Sequence, residues 1–297
     1  MIWLLSILLA FNLAEAQTKK KKSKKRSRAV AQVNLTKVGS CSATTGKKVL
    51  LIKQWDLLKT TSTKGFKEKY AQERNLTAIY KKLDQDVKAG KVQLIVAEGC
   101  EGEIKGDFDT TFNGWDLAAL QDQVTRKGFD KIITSVPLKI KAKHGDKVRV
   151  HCGDDLKQIQ ESNRLLSNLR GWTGYWSKFE ELKNRPDELK PFADSAAALL
   201  KVPATTPAKE LGEMVKKTLK AEVAALNESM SKRDDAFIKI LNEQEFETAA
   251  VVVGGLHTAD LKSKLEQAQL PCDVLEPPGY TREEENLIQD FQNILKK

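Results

Sequence analysis

Carboxylate and imidazole side chains follow several apolar runs of this sequence, at points where a buried strand would end. They are Asp56 after "VLLIKQW", Glu98 at the end of "VQLIVAE", Asp154 after "VRVHCG" and His257 after "TAAVVVGGL". A convergent set of carboxylates with one imidazole can bind a divalent cation and activate water. The same groups can transfer protons in general acid–base catalysis without a metal. The residue types therefore predict a polar site with one of these two chemistries.

The glycines before His257 are the second feature of the same segment. Gly254 and Gly255 allow the backbone to turn sharply and to approach a ligand closely, so we predict that both contribute to ligand or cofactor binding. His257 itself also suits the first turn of the following helix "TADLKSKLEQ". Both interpretations of His257 stay open at the level of the sequence.

The acidic candidates have structural interpretations as well. Asp154 and Asp155 stand before a long helical segment, where an aspartate commonly caps the helix. Glu98 could face the N-terminus of a following helix. The other two histidines, His144 and His151, suit surface or strand-edge positions.

Apolar periodicity predicts the elements that position these residues. Short apolar runs bounded by charge or glycine suit buried strands, and apolar residues three and four apart suit amphipathic helices. The predicted strands are 49–55, 92–98, 148–152, 248–255 and 272–277; the predicted helices are 67–88, 258–269 and 281–296, with a helical stretch 155–247 broken at 170–176, 184–188 and 202–207. This alternation predicts an α/β fold with a mainly parallel central sheet flanked by helices. The long helical insertion lies between the third strand and the C-terminal strands.

The first two strands and the helix between them form a βαβ unit, so we predict that these strands are parallel neighbours. Ligands of such sheets bind outside the carboxyl ends of the strands. The candidate residues all follow strand ends, and we therefore expect them to meet at one edge.

The two ends of the chain differ in character. Residues 1–16 read as a signal peptide with a cleavage site at "AEA", 17–46 as a basic disordered tail and lead-in, and 47–297 as a single α/β domain that contains the insertion 155–247. The run 19–28, "KKKKSKKRSR", carries eight of the charges behind the net +10, which leaves about +2 (10 − 8) for the rest. The sequence thus indicates a periplasmic or secreted protein whose nearly neutral globular part binds no nucleic acid. The basic run is a solvated tail or a contact with an anionic envelope surface.

Four cysteines fit two disulfides in an oxidising compartment. Cys100 and Cys152 both follow strand ends at the predicted site edge, whereas Cys41 precedes a strand and Cys272 begins one. This placement favours the pairs Cys100–Cys152 and Cys41–Cys272.

The ordered motifs resemble a known superfamily. The segment "VVVGGLHTADLKSKLEQAQLPCDVLEP" resembles the C-terminal GxxH block shared by Tiki proteases, TraB/PrgY pheromone-shutdown proteins, erythromycin esterases and ChaN-type haem-binding lipoproteins. "LIVAEG" resembles the second-strand motif with Glu98 as its acidic residue, and "VHCGDD" resembles a turn that would supply Asp154 or Asp155. "VLLIKQWD" stands at the first motif, usually G-E-x-H or G-x-x-H. The resemblance covers roughly 47–155 and 245–297.

The first motif departs from that pattern. Lys53 replaces glycine, Gln54 replaces glutamate, and Asp56 takes the histidine position. The resemblance implies a metal-dependent hydrolase of peptide or ester bonds that binds a peptide or small-molecule ligand. Glu98 would be its general base or a ligand, and His257 a ligand or general acid. Asp56 and Asp154 would be further ligands of Mn²⁺ or a similar cation. The alternative is a cell-envelope protein with a decayed site that binds haem or another ligand without catalysis.

Overall fold

The computed structural model describes residues 34–43, 46–54, 65–105, 111–112, 115–116 and 136–296. The elements within these ranges are β1 (Thr36–Cys41), β2 (Lys48–Gln54), α1 (Gly65–Lys88), β3 (Leu94–Ala97), β4 (Glu101–Glu103), β5 (Thr111–Phe112), β6 (Trp115–Asp116), α2 (Val136–His144), a 3₁₀ turn (Gly145–Lys147), β7 (Arg149–Gly153), α3 (Leu156–Leu182), α4 (Pro186–Leu200), α5 (Ala208–Glu243), β8 (Thr248–Gly254), α6 (Gly255–Gln267), β9 (Cys272–Glu276) and α7 (Glu283–Lys296).

A seven-stranded sheet in the order β1-β9-β2-β8-β3-β7-β4 forms the centre. The inner strands β9, β2, β8, β3 and β7 are mutually parallel, and the edge strands β1 and β4 pair antiparallel with their neighbours. A hairpin of β5 and β6 forms a separate pair. The predicted α/β fold with a mainly parallel sheet is confirmed.

One predicted strand pairing is wrong. The strands β2 and β3 are parallel, but β8 lies between them and pairs with both. In β8, every residue after Thr248 is buried, and a strand that is apolar on both faces is most stable at the centre of a parallel sheet. Helix α1 therefore crosses over one intervening strand.

Helices cover both faces of the sheet. On one face, α1 and α2 contribute Ile79, Leu83 and Ile140 to a core shared with Ile52 and Ile95. On the other face, Phe237 and Leu241 of α5 and Leu261 of α6 pack on Val96 and Val251. The alternation of buried residues along each strand divides the sheet between these two cores.

The helical insertion builds a third apolar core away from the sheet. Helices α3, α4 and α5 pack together there with α7, around residues such as Leu169, Val215 and Leu226. The predicted breaks at 184–188 and 202–207 match the connections between these helices. The predicted break at 170–176 is wrong, because α3 continues through it with Trp176 buried on its core side. Among the described helices, none has the length and apolarity needed to span a bilayer.

Both predicted disulfides are present. Cys41–Cys272 joins β1 to β9 with the Cα atoms 4.6 Å apart, and Cys100–Cys152 joins the segment after β3 to β7 with the Cα atoms 4.9 Å apart. The strand β1 lies within 17–46, the segment interpreted as tail and lead-in. It escapes prediction because its polar sequence, "TKVGSC", becomes a strand through pairing and the disulfide with β9.

Candidate functional site

Sheet register places Glu98 beside the last residues of the neighbouring strands. Ala97 of β3 is level with Val252 of β8, so the next residue, Glu98, comes level with Val253. Lys53 of β2 is level with the same valine. Residues that are level in parallel strands point to the same face, so Glu98 and Lys53 both point toward α5, α6 and α7.

His257 lies in the first turn of α6 and is fully buried. Its Nδ1 is 2.5 Å from Oδ1 of Asp234 on α5, and its Nε2 is 3.1 Å from Oε1 of Glu98. The first-turn position of His257 is confirmed, and from that position its ring also reaches two carboxylates. The imidazole bridges two carboxylates.

Glu98 is held from three sides. Besides His257, its Oε1 accepts a hydrogen bond from Arg233 Nη2 at 3.1 Å, and its Oε2 accepts one from the Gly254 N–H at 2.5 Å. The Glu98 side chain is 15% exposed, against 8% for Arg233 and 0% for His257. Glu98 is thus the most exposed of these three side chains.

Asp154 anchors the other side of Arg233. The guanidinium donates to both carboxylate oxygens, from Nε at 2.8 Å and from Nη2 at 2.6 Å. The Gly99 N–H donates to Asp154 Oδ2 at 3.0 Å. The Cys100–Cys152 disulfide joins the two strand ends that carry Glu98 and Asp154. We call Glu98, Asp154, Arg233, Asp234 and His257 the edge network.

Burial and charge pull the pKa values of the edge network in opposite directions. Burial by itself lowers the pKa of His257, but the carboxylates of Glu98 and Asp234 outweigh it and raise the pKa to about 9. Burial raises the pKa of Asp234 to about 6, because the hydrogen bond from His257 only partly offsets it. Burial also disfavours the charged form of Arg233, yet Asp154 and Glu98 raise its pKa above the ordinary value. At neutral pH the network holds charges of both signs.

A second charged group stands on the same face of the sheet. Lys53 Nζ donates to Glu285 Oε1 at 2.5 Å and to Glu276 Oε2 at 3.3 Å. The ammonium lies 5.2 Å from the centre of the Tyr280 ring, and the Tyr280 hydroxyl donates to Glu285 at 3.1 Å. We call Lys53, Glu276, Tyr280 and Glu285 the lysine cluster.

The structure brings some of the predicted site residues together. Glu98, Asp154 and His257 meet within the edge network, the Gly254 N–H donates to Glu98, and Asp56 lies outside the described residues. Gly255 begins α6 and is buried.

The remaining acidic and histidine candidates have structural roles. Asp155 caps α3 by accepting the Gln158 N–H at 2.8 Å. His144 pairs with Asp84 at 2.7 Å, and His151 is half-buried in β7.

Arg233 and Asp234 escape sequence prediction. They lie in the middle of the long helix α5, on the stripe that also carries Met230, Phe237 and Leu241. Charged residues on the apolar stripe of an amphipathic helix are rarely buried without partners, so this position predicts an internal ion pair. The partner strands, however, are far away in the sequence, with Arg233 and Glu98 135 residues apart.

The residues present fit a metal ion poorly. Within the described ranges, no group of three or more His, Cys, Asp or Glu side chains is arranged to hold one. The cationic guanidinium of Arg233 lies between Glu98 and Asp154, where a second cation would be repelled. His257 is also poorly suited to bind haem iron, because both of its ring nitrogens contact carboxylates.

Comparisons of the chain with protein-family models, with curated proteins and with solved structures find no match.

Proposed function

We propose that this chain is an exported protein of the Tiki/TraB type that hydrolyses peptide or ester bonds at the carboxyl ends of its strands. Glu98 is the group that meets the substrate and the reacting water. The observation that carries this proposal is the graded exposure of the edge network. Glu98 keeps 15% of its side chain open while its partners are 8% exposed or less.

The proposed reaction needs one carboxylate and one water. The Glu98 carboxylate takes a proton from water as the water oxygen forms a bond to the substrate carbonyl carbon. The tetrahedral intermediate then breaks its bond to the amine or alcohol, and the proton on Glu98 passes to that leaving group. Atoms balance without a further reagent, and Glu98 ends in its starting state.

The buried members position Glu98. His257 and Arg233 both contact Oε1 of Glu98, so they orient the carboxylate and balance its charge. Asp234 and Asp154 in turn hold these two cations in place. His257 is fully buried and so cannot contact a substrate directly. We assign it a positioning role rather than that of a metal ligand or general acid.

The proposed location is periplasmic or secreted. Two disulfides are typical of proteins that fold in an oxidising compartment, and the apolar segment at the start of the chain supports export.

Replacing Glu98 with Gln tests the proposal on a panel of peptides and esters. Glu98→Gln keeps the shape and removes the proton acceptor, so the hydrolysis rate should fall by about 10²- to 10⁴-fold. Glu276→Gln is the matched control, because it neutralises a carboxylate of the lysine cluster and should leave the rate unchanged. Equal rates for Glu98→Gln and the unmodified chain would refute the assignment.

The second candidate is a non-catalytic envelope protein that binds a haem-type or other ligand. The lysine cluster favours it, because Lys53, which stands where the motif has glycine, is buried and forms ion pairs with Glu276 and Glu285. The basic run 19–28 would then contact the anionic envelope surface. Titration with haemin distinguishes the two candidates: a saturable Soret shift without hydrolysis supports binding, and no shift counts against haem.

A further inference from the structure

Two buried carboxylate oxygens lack a donor between α5 and α6. Asp234 of α5 is fully buried, and its Oδ1 contacts His257. Among the residues that the structure describes, no donor forms a hydrogen bond with its Oδ2 or with the buried Oδ2 of Asp260. Buried polar atoms in folded proteins are nearly always paired, so these two oxygens call for a specific explanation.

The spacing of residues on α6 places Asp260 beside Asp234. Residues three or four apart on a helix lie on the same face, and His257, Asp260 and Lys264 follow one another at these intervals. His257 contacts Asp234, and Lys264 Nζ donates to the Ser231 carbonyl oxygen of α5 at 2.6 Å. Asp260 therefore lies on the side of α6 that faces α5, within hydrogen-bonding reach of Asp234. We call Asp234 and Asp260 the carboxyl pair.

Lys264 does not supply the missing donor. Its Nζ lies 3.3 Å from Asp260 Oδ2, but in the geometry of an ion pair and not of a hydrogen bond. The three ammonium protons have other acceptors, namely the carbonyl and hydroxyl oxygens of Ser231 and the carboxylate of Asp235. The Asp260 side chain is 45% exposed, so the carboxyl pair reaches water through Asp260.

The other charged groups around the carboxyl pair have partners of their own. They are His257, which also contacts Glu98 at the end of β3; Lys264 and Asp235, which bind each other; Arg233 of α5, which binds Asp154; and Glu285 of α7, which binds Lys53. The hydroxyl of Thr258 is buried on α6 and donates to neither oxygen of the pair. A proton on one of the two carboxyl groups satisfies both oxygens.

We propose that Asp234 and Asp260 hold one proton between their Oδ2 atoms, and that this shared proton is a pH-sensitive link between α5 and α6. A protonated carboxyl group donates a hydrogen bond to a neighbouring carboxylate, whereas two ionised ones repel each other. Burial raises the pKa of Asp234 to about 6, and Asp260 adds to this rise while His257 opposes it. The link therefore forms below about pH 6 and is lost above it.

The carboxyl pair sets the charge that Asp234 presents to the edge network. With the proton in place, His257 contacts a neutral carboxyl group. Without the proton, the same ring contacts a carboxylate. The half-exposed Asp260 thus lets the charge of a buried network follow the pH of the surroundings. This inference does not depend on hydrolysis of a substrate.

Asp260→Asn tests the link, because its amide N–H can donate to Asp234 Oδ2 at every pH and a negative charge is removed. Carboxyl-carbon NMR of the full chain follows the titration of Asp234, whose signal is identified by its loss in Asp234→Asn. We expect a midpoint near pH 6 in the unmodified chain. In Asp260→Asn, the proton affinity of Asp234 should be about tenfold weaker. Asp235→Asn is the matched control, since it removes the adjacent carboxylate that binds the same lysine, and it should leave the midpoint unchanged.

Thermal unfolding gives a second measurement. The thermal midpoint of Asp260→Asn should rise relative to that of the unmodified chain as the pH increases from 4 to 7, because only the unmodified chain loses its link. Asp235→Asn should show no such trend. If Asp260→Asn does not fold, Asp260→Ser, which also removes the second carboxylate, replaces it in the NMR titration.

Three results would overturn the proposal. One is a midpoint of Asp234 near its ordinary value of 3.8 in the unmodified chain. Another is an unchanged midpoint after removal of the Asp260 carboxylate. The third is an equal shift in Asp235→Asn, which would show that any nearby negative charge has the same effect and that no proton is shared with Asp260.

Discussion

The edge network and the lysine cluster lie on the same face of the sheet, separated by Val253, yet they are built differently. In the edge network, the side chains of Asp154, Asp234 and His257 are at most 1% exposed, and two cations alternate with three carboxylates. In the lysine cluster, one buried cation meets two carboxylates that are 23% and 25% exposed.

Burial changes how strongly the charges of a group interact. Charges removed from water interact strongly with one another, so each member of the edge network depends on the others and the pKa values move. Carboxylates that keep contact with water are screened, and their ion pairs contribute little. The edge network thus contains strongly coupled titratable groups, whereas the lysine cluster links β2 to α7 and to the end of β9 through partly exposed ion pairs.

Arg233→Met should cause the largest change. It leaves the buried Asp154 carboxylate without its cationic partner, and such a loss typically costs 3–5 kcal/mol, so we expect a decrease of about that size in the free energy of unfolding. Urea unfolding followed by circular dichroism measures it. A decrease below about 1 kcal/mol would mean that the two groups of charges are energetically alike.

The second prediction concerns pH. The pKa of His257 is raised from 6.5 to about 9 in the folded protein, so its stabilising contribution is fully present below pH 6.5. It is lost as the pH rises through about 9, a loss of about 3 kcal/mol. The pKa of Asp234 is also raised, from 3.8 to about 6, so the free energy of unfolding likewise falls as the pH rises through this range.

The measurement is unfolding free energy against pH, between pH 6 and about 9.5. His257→Gln should remove most of the decrease. His151→Gln is the control and should retain it, because burial lowers the pKa of His151. An unchanged slope in His257→Gln would contradict the prediction.

Gly153→Ala tests how closely the end of β7, directly before Asp154, is packed against α5. A Cβ at this position would lie 2.3 Å from the Phe237 ring and 2.7 Å from Val96 Cγ1, so we expect a loss of about 1–3 kcal/mol. Gly171→Ala is the matched control, since its Cβ would meet nothing within 4 Å in the middle of α3. That change should instead stabilise by about 0.5–1 kcal/mol. Similar thermal midpoints for the two variants would contradict this account.

Lys53→Met should have the smallest effect. The two glutamates of the lysine cluster retain access to water, so we expect a loss of about 1 kcal/mol. Unfolding in urea and the rate of protease cleavage near α7 measure it. A loss as large as that of Arg233→Met would show that exposure does not distinguish the two groups.

Local pattern predicted much of this fold, and the reason is visible in particular segments. The run "TAAVVVG" is apolar on both faces, which identifies β8 as a buried strand wherever its neighbours lie. The disulfides followed from the same reasoning, because Cys100 and Cys152 both stand next to strand ends. The strand β1 and the order of β2, β8 and β3 depend on pairing between distant segments, and the sequence pattern does not encode that pairing locally.

The candidate site divides in the same way. The positions of Glu98, Asp154 and His257 after strand ends could be predicted from the sequence, because apolar periodicity locates strands and parallel strands share an edge. What these residues contact depends on how distant segments pack together. Arg233 and Asp234 lie in the middle of α5. The Arg233 guanidinium lies between Glu98 and Asp154, and the Asp234 carboxylate contacts Nδ1 of His257. Ion pairing in a buried site depends on distances of a few ångströms between segments more than a hundred residues apart, and no local pattern specifies such distances.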